Sequence, residues 1–138
     1  MVVLDASAAV EIALWADEGS ILCTHVLNAE EVVVPDHFHV EGVAALRRME
    51  LRGELRGELT AADALEALRQ LLALQVRRVS TLPLLSDAWT MRHDVTVADA
   101  PYVIIARRLG VALVTGDNRL ARAPGLDVDV ITTSSPAR

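Results

Sequence analysis

Lysine is absent from this chain, so all 13 of its basic residues are arginines. The chain also has 19 acidic residues, which gives a formal net charge of −6. Proteins that bind nucleic acid through bulk electrostatics carry the opposite excess. Any contact with nucleic acid must therefore depend on a bound metal or on local arginines, and any mechanism that requires a lysine ammonium group is excluded.

Cysteine is nearly absent as well. Cys23 is the only one, so it can form neither an internal disulfide nor a cysteine-rich zinc site, in agreement with a reducing compartment. No basic residue precedes Arg47, and Asp5 interrupts the first apolar run, so neither a signal peptide nor a membrane span fits this segment. We therefore expect a cytoplasmic protein that has no membrane partner.

Aromatic residues are few: the chain has two Trp, one Tyr and one Phe, although 52% of its residues are hydrophobic. The core must consist mainly of Leu, Val, Ile and Ala, and so much aliphatic surface suggests that a partner covers part of it. A chain of 138 residues suits one domain. We expect a single domain over residues 1–132 and a flexible tail over 133–138, which has no apolar pattern.

Strand-like runs and helical patterns alternate along the chain in the order β-α-α-β-α-α-β-α-α-β-α-β. This alternation predicts a three-layer α/β/α fold, with helices on both faces of a central, mostly parallel five-stranded sheet. The predicted strands cover residues 2–4, 32–34, 76–80, 112–115 and 128–131.

Two helices are predicted in the middle of the chain. One covers residues 37–52 and carries Glu41, and Gly42 within it would let another backbone come close. The next begins at Thr60, which forms a capping pattern with Asp63. The predicted inward-facing residues are Val40, Val43 and Ala44 in the first helix and Leu65, Leu68 and Leu72 in the second, with Gly53 and Gly57 marking the turn between them.

A third helix is predicted near residues 99–110, with Asp99 at its start and Gly110 as a stop. Thr96 and Asp99 also match a capping pattern, in which the Asp99 carboxylate would only accept backbone N–H groups. Pro101 lacks an N–H and disfavours helical geometry at the residue before it, so the regular helix should begin around residues 99–101. The predicted buried face consists of Tyr102, Ile105 and Leu109.

Four acids occupy positions that could converge. Asp5 follows the first predicted strand and Asp117 follows the fourth, after a glycine turn. Ligands bind parallel sheets in the crevice at the carboxyl ends of the strands. Glu41 and Asp99 lie on predicted helices. We therefore expect the four carboxylates to share one pocket.

Several segments together resemble the PIN-domain nucleases and, within that family, the VapC-type toxins of toxin–antitoxin pairs. The resemblance covers nearly the whole chain and is carried by the order and spacing of its motifs. These are Val-Leu-Asp-Ala-Ser over residues 3–7, the acid within 40–48, Asp-Ala-Pro-Tyr over 99–102 and Thr-Gly-Asp-Asn-Arg-Leu over 115–120. Pro101 departs from the family pattern, which usually has a helix-favouring residue there.

The resemblance implies a metal-dependent endoribonuclease. It makes Asp5, Glu41, Asp99 and Asp117 the catalytic acids around the metal, supported by Thr115 and Ser7. The cofactor would be Mg²⁺ or Mn²⁺, since these hard ions prefer oxygen ligands. The implied partners are an RNA substrate, a cognate antitoxin protein and a second copy of the chain in a homodimer, which could join the antitoxin in a hetero-oligomer.

Three other functions involve some of the same residues. A phosphorelay receiver has a similar acidic pocket, but it also uses a lysine, which this chain lacks. A catalytically silent PIN module that only binds partners remains an alternative. His37 and His39 are a weak candidate for a zinc pair.

Overall fold

A parallel sheet forms the centre of the computed structural model, which describes residues 1–15, 20–53 and 60–132. Its spatial order is β3-β2-β1-β4-β5, and all four strand pairs are parallel. The central strand β1 pairs Val3 with Val33 on one side and with Leu113 on the other. The strands are β1 Val2–Leu4, β2 Val32–Pro35, β3 Arg77–Val79, β4 Leu113–Val114 and β5 Val130–Ile131.

Helices connect the strands and cover both faces of the sheet. The chain steps outward from β1 to β3 and then crosses back to β4, so right-handed crossovers put the helices of these two parts on opposite faces. This confirms the predicted three-layer α/β/α fold. The helices are α1 Ala6–Trp15, α2 Ile21–Leu27, α3 Phe38–Leu51, α4 Ala61–Ala73, α5 Leu85–Thr90, α6 Ala100–Leu109 and α7 Asn118–Ala121.

The predicted order of elements is confirmed, with a 3₁₀ turn over Leu82–Leu84 in addition. Strands β3, β4 and β5 are shorter than predicted because regular pairing ends before the apolar runs do. The predicted tail over 133–138 and Gly57 lie outside the described residues. In the part of the chain that the structure describes, no helix has the length and apolarity needed to cross a membrane.

The predicted buried face of α3 is wrong. Val40 is 73% exposed and Val43 is also exposed, while Ala44 is half-buried. The face that packs inward is set by the fully buried Phe38 ring at the start of the helix. Residues one and two turns further along share this face, so the buried residues of α3 are Phe38, Gly42 and Leu46.

The predicted face of α4 is correct only for Leu68, which is half-buried against the core. Leu65 and Leu72 are exposed, and the buried residues are Ala64, Ala67 and Leu71. Small alanines let α4 pack against α1 and α3. A Cβ added to Gly42 would lie 3.5 Å from Leu71 Cδ1, so Gly42 accommodates a side chain and not a backbone as predicted. The capping box of Thr60 and Asp63 is present at the start of α4.

Helix α6 begins at Ala100, and Pro101 lies in its first turn, where the missing N–H costs nothing. All residues from Ala100 to Ala106 are buried. The helix ends at Gly110, whose φ of 64° is the left-handed conformation that glycine adopts readily. The predicted helix and its stop are thereby confirmed, but its predicted buried face is wrong at Leu109, which is exposed in the last turn.

Candidate active site at the carboxyl end of the sheet

Asp5 is the first residue after β1 and is only 4% exposed. Its backbone N–H donates to the carbonyl oxygen of Val114 at 2.9 Å, which ties it to the end of β4. Its Oδ2 accepts hydrogen bonds from Ser7 Oγ at 2.5 Å and Thr115 Oγ1 at 2.6 Å. Burial raises the pKa of Asp5, and the two hydroxyl donors oppose this only in part.

Backbone groups orient the two hydroxyls that hold Asp5. The Gly116 N–H donates to Ser7 Oγ and the Asp117 N–H donates to Thr115 Oγ1, both at 3.0 Å. Each hydroxyl therefore accepts a backbone N–H and is left to donate its own hydrogen to Asp5. We call Asp5, Ser7 and Thr115 the strand-side half of the site.

Glu41 projects from the first turn of α3. Its Oε1 accepts from the Tyr102 hydroxyl at 2.7 Å and lies 3.0 Å from His37 Nε2. Burial raises the pKa of Glu41 most strongly, and the negative charges of Asp5 and Asp99 raise it further. Burial and the bond to Glu41 also raise the pKa of Tyr102, so its hydroxyl remains a donor. We call His37, Glu41 and Tyr102 the helix-side half of the site.

Asp99 precedes α6, and its carboxylate makes no capping hydrogen bond to that helix. The capping prediction is therefore correct only for Thr96, whose Oγ1 accepts the Asp99 N–H at 3.1 Å. The Asp99 charge raises the pKa of both Asp5 and Glu41, so the three carboxylates lie near enough to interact electrostatically. Asp5 follows a strand, Glu41 lies on a helix and Asp99 follows the turn after α5, so three separate segments contribute these acids.

Asp117 differs from the other three acids because its carboxylate caps a helix. Its Oδ1 accepts from the backbone N–H groups of Arg119 at 2.8 Å and Leu120 at 3.4 Å, which caps α7. Thr115 still connects Asp117 to Asp5, through the backbone N–H of Asp117. The cap was foreseeable, since an Asp directly before a short helical pattern is a common N-cap.

The sequence of this chain matches a known protein family and its members. The sequence profile of the PIN domain family matches residues 2–126. The chain belongs to the PIN-domain family. Ribonuclease VapC12 of Mycobacterium tuberculosis is 38% identical over 130 residues, which cover 94% of this chain and 97% of that protein. The resemblance found in the sequence is thereby confirmed.

Solved structures share the fold of this PIN domain. PAE2754 from Pyrobaculum aerophilum aligns with a TM-score of 0.65 at 25% identity, over 96% of this chain and 83% of the other. The VapC20 toxin of M. tuberculosis, described as cleaving the sarcin–ricin loop, aligns with a TM-score of 0.60 at 20% identity. That alignment covers 88% of this chain and 93% of the VapC20 chain.

Sequence reasoning missed three side chains at this PIN-domain site. Tyr102 was predicted only as part of a buried face, and His37 only as half of a zinc pair. The spacing of four residues between His37 and Glu41 on one helix was the available signal. Glu11 of α1 was not considered; burial raises its pKa, and its Oε2 lies 2.6 Å from where a Gly116 side chain would begin.

The donor set of the site fits a hard divalent cation, since it offers three mutually repelling carboxylates of which Asp5 is buried. Their spacing is wider than direct coordination by three side chains: within residues 1–15, 20–53 and 60–132, no three Asp, Glu, His or Cys residues stand close enough to hold one ion together. Mg²⁺ commonly takes one or two carboxylates directly and keeps several waters, so the two observations are compatible. The two histidines of the zinc hypothesis have different neighbours: His37 contacts Ala98 and Glu41, whereas the His39 ring packs edge-on against Phe38.

Proposed function

We propose that this PIN domain is a VapC-type toxin, a metal-dependent endoribonuclease that cleaves cellular RNA and is inhibited by a cognate antitoxin. The burial of Asp5 is the observation that carries the proposal. A carboxylate in that position is disfavoured as an anion by burial and by Asp99, yet two hydroxyls are oriented to receive the charged form. A bound cation accounts for both features because it stabilises the anion that the hydroxyls hold.

Asp5, Glu41 and Asp99 are the residues that would hold the cation, and Asp117 would contribute from the neighbouring turn. When bound, Mg²⁺ or Mn²⁺ lowers the pKa of water and offsets the charge of a phosphodiester. The protein's own contribution is positional. Ser7 and Thr115 fix the Asp5 carboxylate, and fixed carboxylates require little rearrangement when the substrate phosphate arrives.

The proposed partners follow from the relatives, which are named ribonucleases, and from the surface of this chain. Leu82 and Trp89 are 76% and 61% exposed, on the 3₁₀ turn and on α5. Large apolar side chains in this position support a covering partner, and a homodimer is our proposal. We also propose an RNA substrate, a cognate antitoxin partner and a cytoplasmic location. Sedimentation analysis of the purified chain measures the oligomeric state directly.

A catalytically silent PIN module is the second candidate. One observation favours it: in the described part of the chain, no three candidate ligands stand within coordinating reach of one ion. Such a module would keep the fold and the acidic pocket for binding a partner without hydrolysing RNA.

Cleavage of RNA by the full chain distinguishes the two candidates. The purified protein is incubated with total cellular RNA in Mg²⁺, in Mn²⁺ and in EDTA, and the new RNA ends are mapped. We expect cleavage in either metal and none in EDTA, with cleavage and growth arrest abolished by Asp5→Asn or Asp99→Asn. Asp94→Asn is the matched control, because it removes the same charge from an exposed turn. Undiminished cleavage by either site variant, or in EDTA, contradicts the proposal.

A further inference from the structure

His37 makes two contacts through one ring nitrogen. Its Nε2 lies 2.8 Å from the carbonyl oxygen of Ala98 and 3.0 Å from Glu41 Oε1. A carbonyl oxygen can only accept, so Nε2 must carry a hydrogen. The side chain makes no capping bond to its own helix, although His37 occupies the N-cap position of α3. The ring therefore serves the pocket and not the helix start.

The two acceptors of this N–H belong to different parts of the site. Glu41 is on α3, whereas Ala98 directly precedes Asp99 at the start of α6. The backbone of this turn is held internally by Thr96, which accepts the N–H groups of Asp99 and Ala100. A rigid turn that is attached to His37 at Ala98 cannot change its distance from Glu41 without breaking that contact.

Tyr102 supports the same arrangement from inside the core. Its ring is fully buried, its hydroxyl donates to Glu41 Oε1 at 2.7 Å, and it meets the His37 ring edge-on with a centroid distance of 5.5 Å. Both donors reach Oε1, and neither reaches Oε2. The orientation of the Glu41 carboxylate is thus determined by two side chains that approach it from different elements.

We propose that His37 is a positioning residue whose shared N–H sets the separation of Glu41 from Asp99 and thereby the affinity of the acidic pocket for a divalent cation. This inference rests on the proposed function for its cation. An ordinary partly exposed ion pair at a helix start would contribute little to stability and would leave cation affinity unchanged. A loss of cation affinity is therefore the property that separates the two roles.

The test compares three variants of the full chain with the wild type. His37→Leu removes the N–H, while His37→Gln restores an N–H at about the reach of Nε2. His39→Leu is the matched control, since His39 is equally half-buried on the same helix but contacts Phe38. Binding of Mn²⁺ is measured by calorimetry and by the rise in melting temperature on titration, without reference to RNA cleavage.

We expect His37→Leu to weaken Mn²⁺ binding by about 10–100-fold, the range typical for residues that orient metal ligands. His37→Gln should recover most of that affinity, and His39→Leu should bind like the wild type. Unchanged affinity in His37→Leu overturns the proposal, as does a His37→Gln variant that is as weak as His37→Leu. If His37→Leu does not fold, His37→Asn replaces it, because its shorter amide places the N–H away from Ala98.

Mn²⁺ affinity and RNA cleavage test the role of His37 and the nuclease activity separately. Wild-type protein that binds Mn²⁺ and cleaves RNA, with unaltered affinity in His37→Leu, refutes only the role of His37. Weakened binding in His37→Leu, together with a wild type that cleaves no RNA, supports the role of His37 and refutes the nuclease. A wild type that binds no Mn²⁺ overturns both.

Discussion

The two halves of the acidic pocket hold their carboxylates by different means. On the strand side, Asp5 follows a strand that pairs with β4, and two small hydroxyl residues reach it over short distances. On the helix side, Glu41 projects from α3 and is held by the long side chains of His37 and Tyr102.

This difference follows from how each element limits the position of a side chain. Neighbouring parallel strands fix their ends relative to each other through backbone hydrogen bonds, so a Ser or a Thr is long enough to complete the contact. Helices are held apart by side-chain packing, so a carboxylate that projects from a helix needs longer donors to reach it. Loss of a single hydroxyl should therefore displace the carboxylate of the strand-side half. Loss of a ring should displace the carboxylate of the helix-side half.

The largest expected effect comes from Asp5→Asn on the strand side. Loss of the anion should reduce RNA cleavage by more than about 100-fold, the upper end of the loss for residues that merely support a metal ligand. The metal-free protein should become more stable at pH 7. The Asn oxygen can still accept from Ser7 and Thr115, while the desolvated charge and its repulsion by Asp99 are removed.

The stability gained by Asp5→Asn should depend on pH, because the pKa of Asp5 differs between the folded and unfolded states. The pKa of Asp5 is raised in the folded state from an ordinary value of 3.8. The contribution of Asp5 to stability is therefore fully present below pH 3.8 and is lost as the pH rises through the folded pKa. Thermal unfolding in EDTA from pH 4 upward should show a growing advantage of Asp5→Asn over the wild type. A constant or shrinking difference contradicts the raised pKa.

Thr115→Val should have the next largest effect, because it removes the donor to Asp5 and the acceptor of the Asp117 N–H together. We expect a loss of about 1–3 kcal/mol in the free energy of unfolding and of about 10–100-fold in cleavage. Denaturant unfolding and initial cleavage rates measure the two losses. Thr115→Ser, which keeps the hydroxyl, is the control, and equal losses in both variants would show that the methyl group matters instead.

Two variants of Asp117 distinguish its role as the cap of α7 from a role in the acidic site. Asp117→Ala should lower the free energy of unfolding by about 1 kcal/mol, whereas Asp117→Asn should not, because Asn caps helices as well as Asp does. If Asp117 also serves the cation, Asp117→Asn should reduce cleavage by about 10-fold at unchanged melting temperature. Full cleavage by Asp117→Asn limits this residue to capping α7.

The smallest expected effect is at Gly116. A Cβ there would lie 2.6 Å from Glu11 Oε2, so Gly116→Ala must displace the Glu11 side chain. We expect a net destabilisation below about 1 kcal/mol, since an alanine without strain would otherwise stabilise by about 0.4–1 kcal/mol. In a Glu11→Ala background the same substitution should become neutral or stabilising. If Gly116→Ala changes the unfolding midpoint equally in both backgrounds, the contact with Glu11 is excluded.

The position of Asp5 at the end of β1 could be predicted because local pattern determines it. An apolar run that ends in an acid places that acid at a strand end, and the alternation of elements determines that the ends meet. A shared metal site of Asp5, Glu41, Asp99 and Asp117 stays a prediction. The sequence analysis did not identify Asp117 as the cap of α7, although the residues after it carry a recognisable signal.

The helix side could not be predicted in the same way. Hydrophobic residues mark a helix face only when other apolar residues do not compete, and Val40 and Val43 compete with Phe38 on α3. Alanine at positions 64 and 67 sets the buried face of α4 because it permits close packing, which counts of leucines cannot reveal. The bond between Tyr102 and Glu41 joins residues 61 positions apart, and nothing local indicates it.

The position of β1 between β2 and β4 determines when the acidic pocket can form during translation. Strand β1 cannot complete its contacts in the pocket until β4 has been made, since Thr115 donates to the Asp5 carboxylate and the Asp5 N–H donates to the carbonyl oxygen of Val114. A nascent chain that has not reached β4 therefore lacks the contacts that hold Asp5 in the acidic pocket. Synthesis of β4 must therefore precede assembly of the pocket for which we propose RNA cleavage.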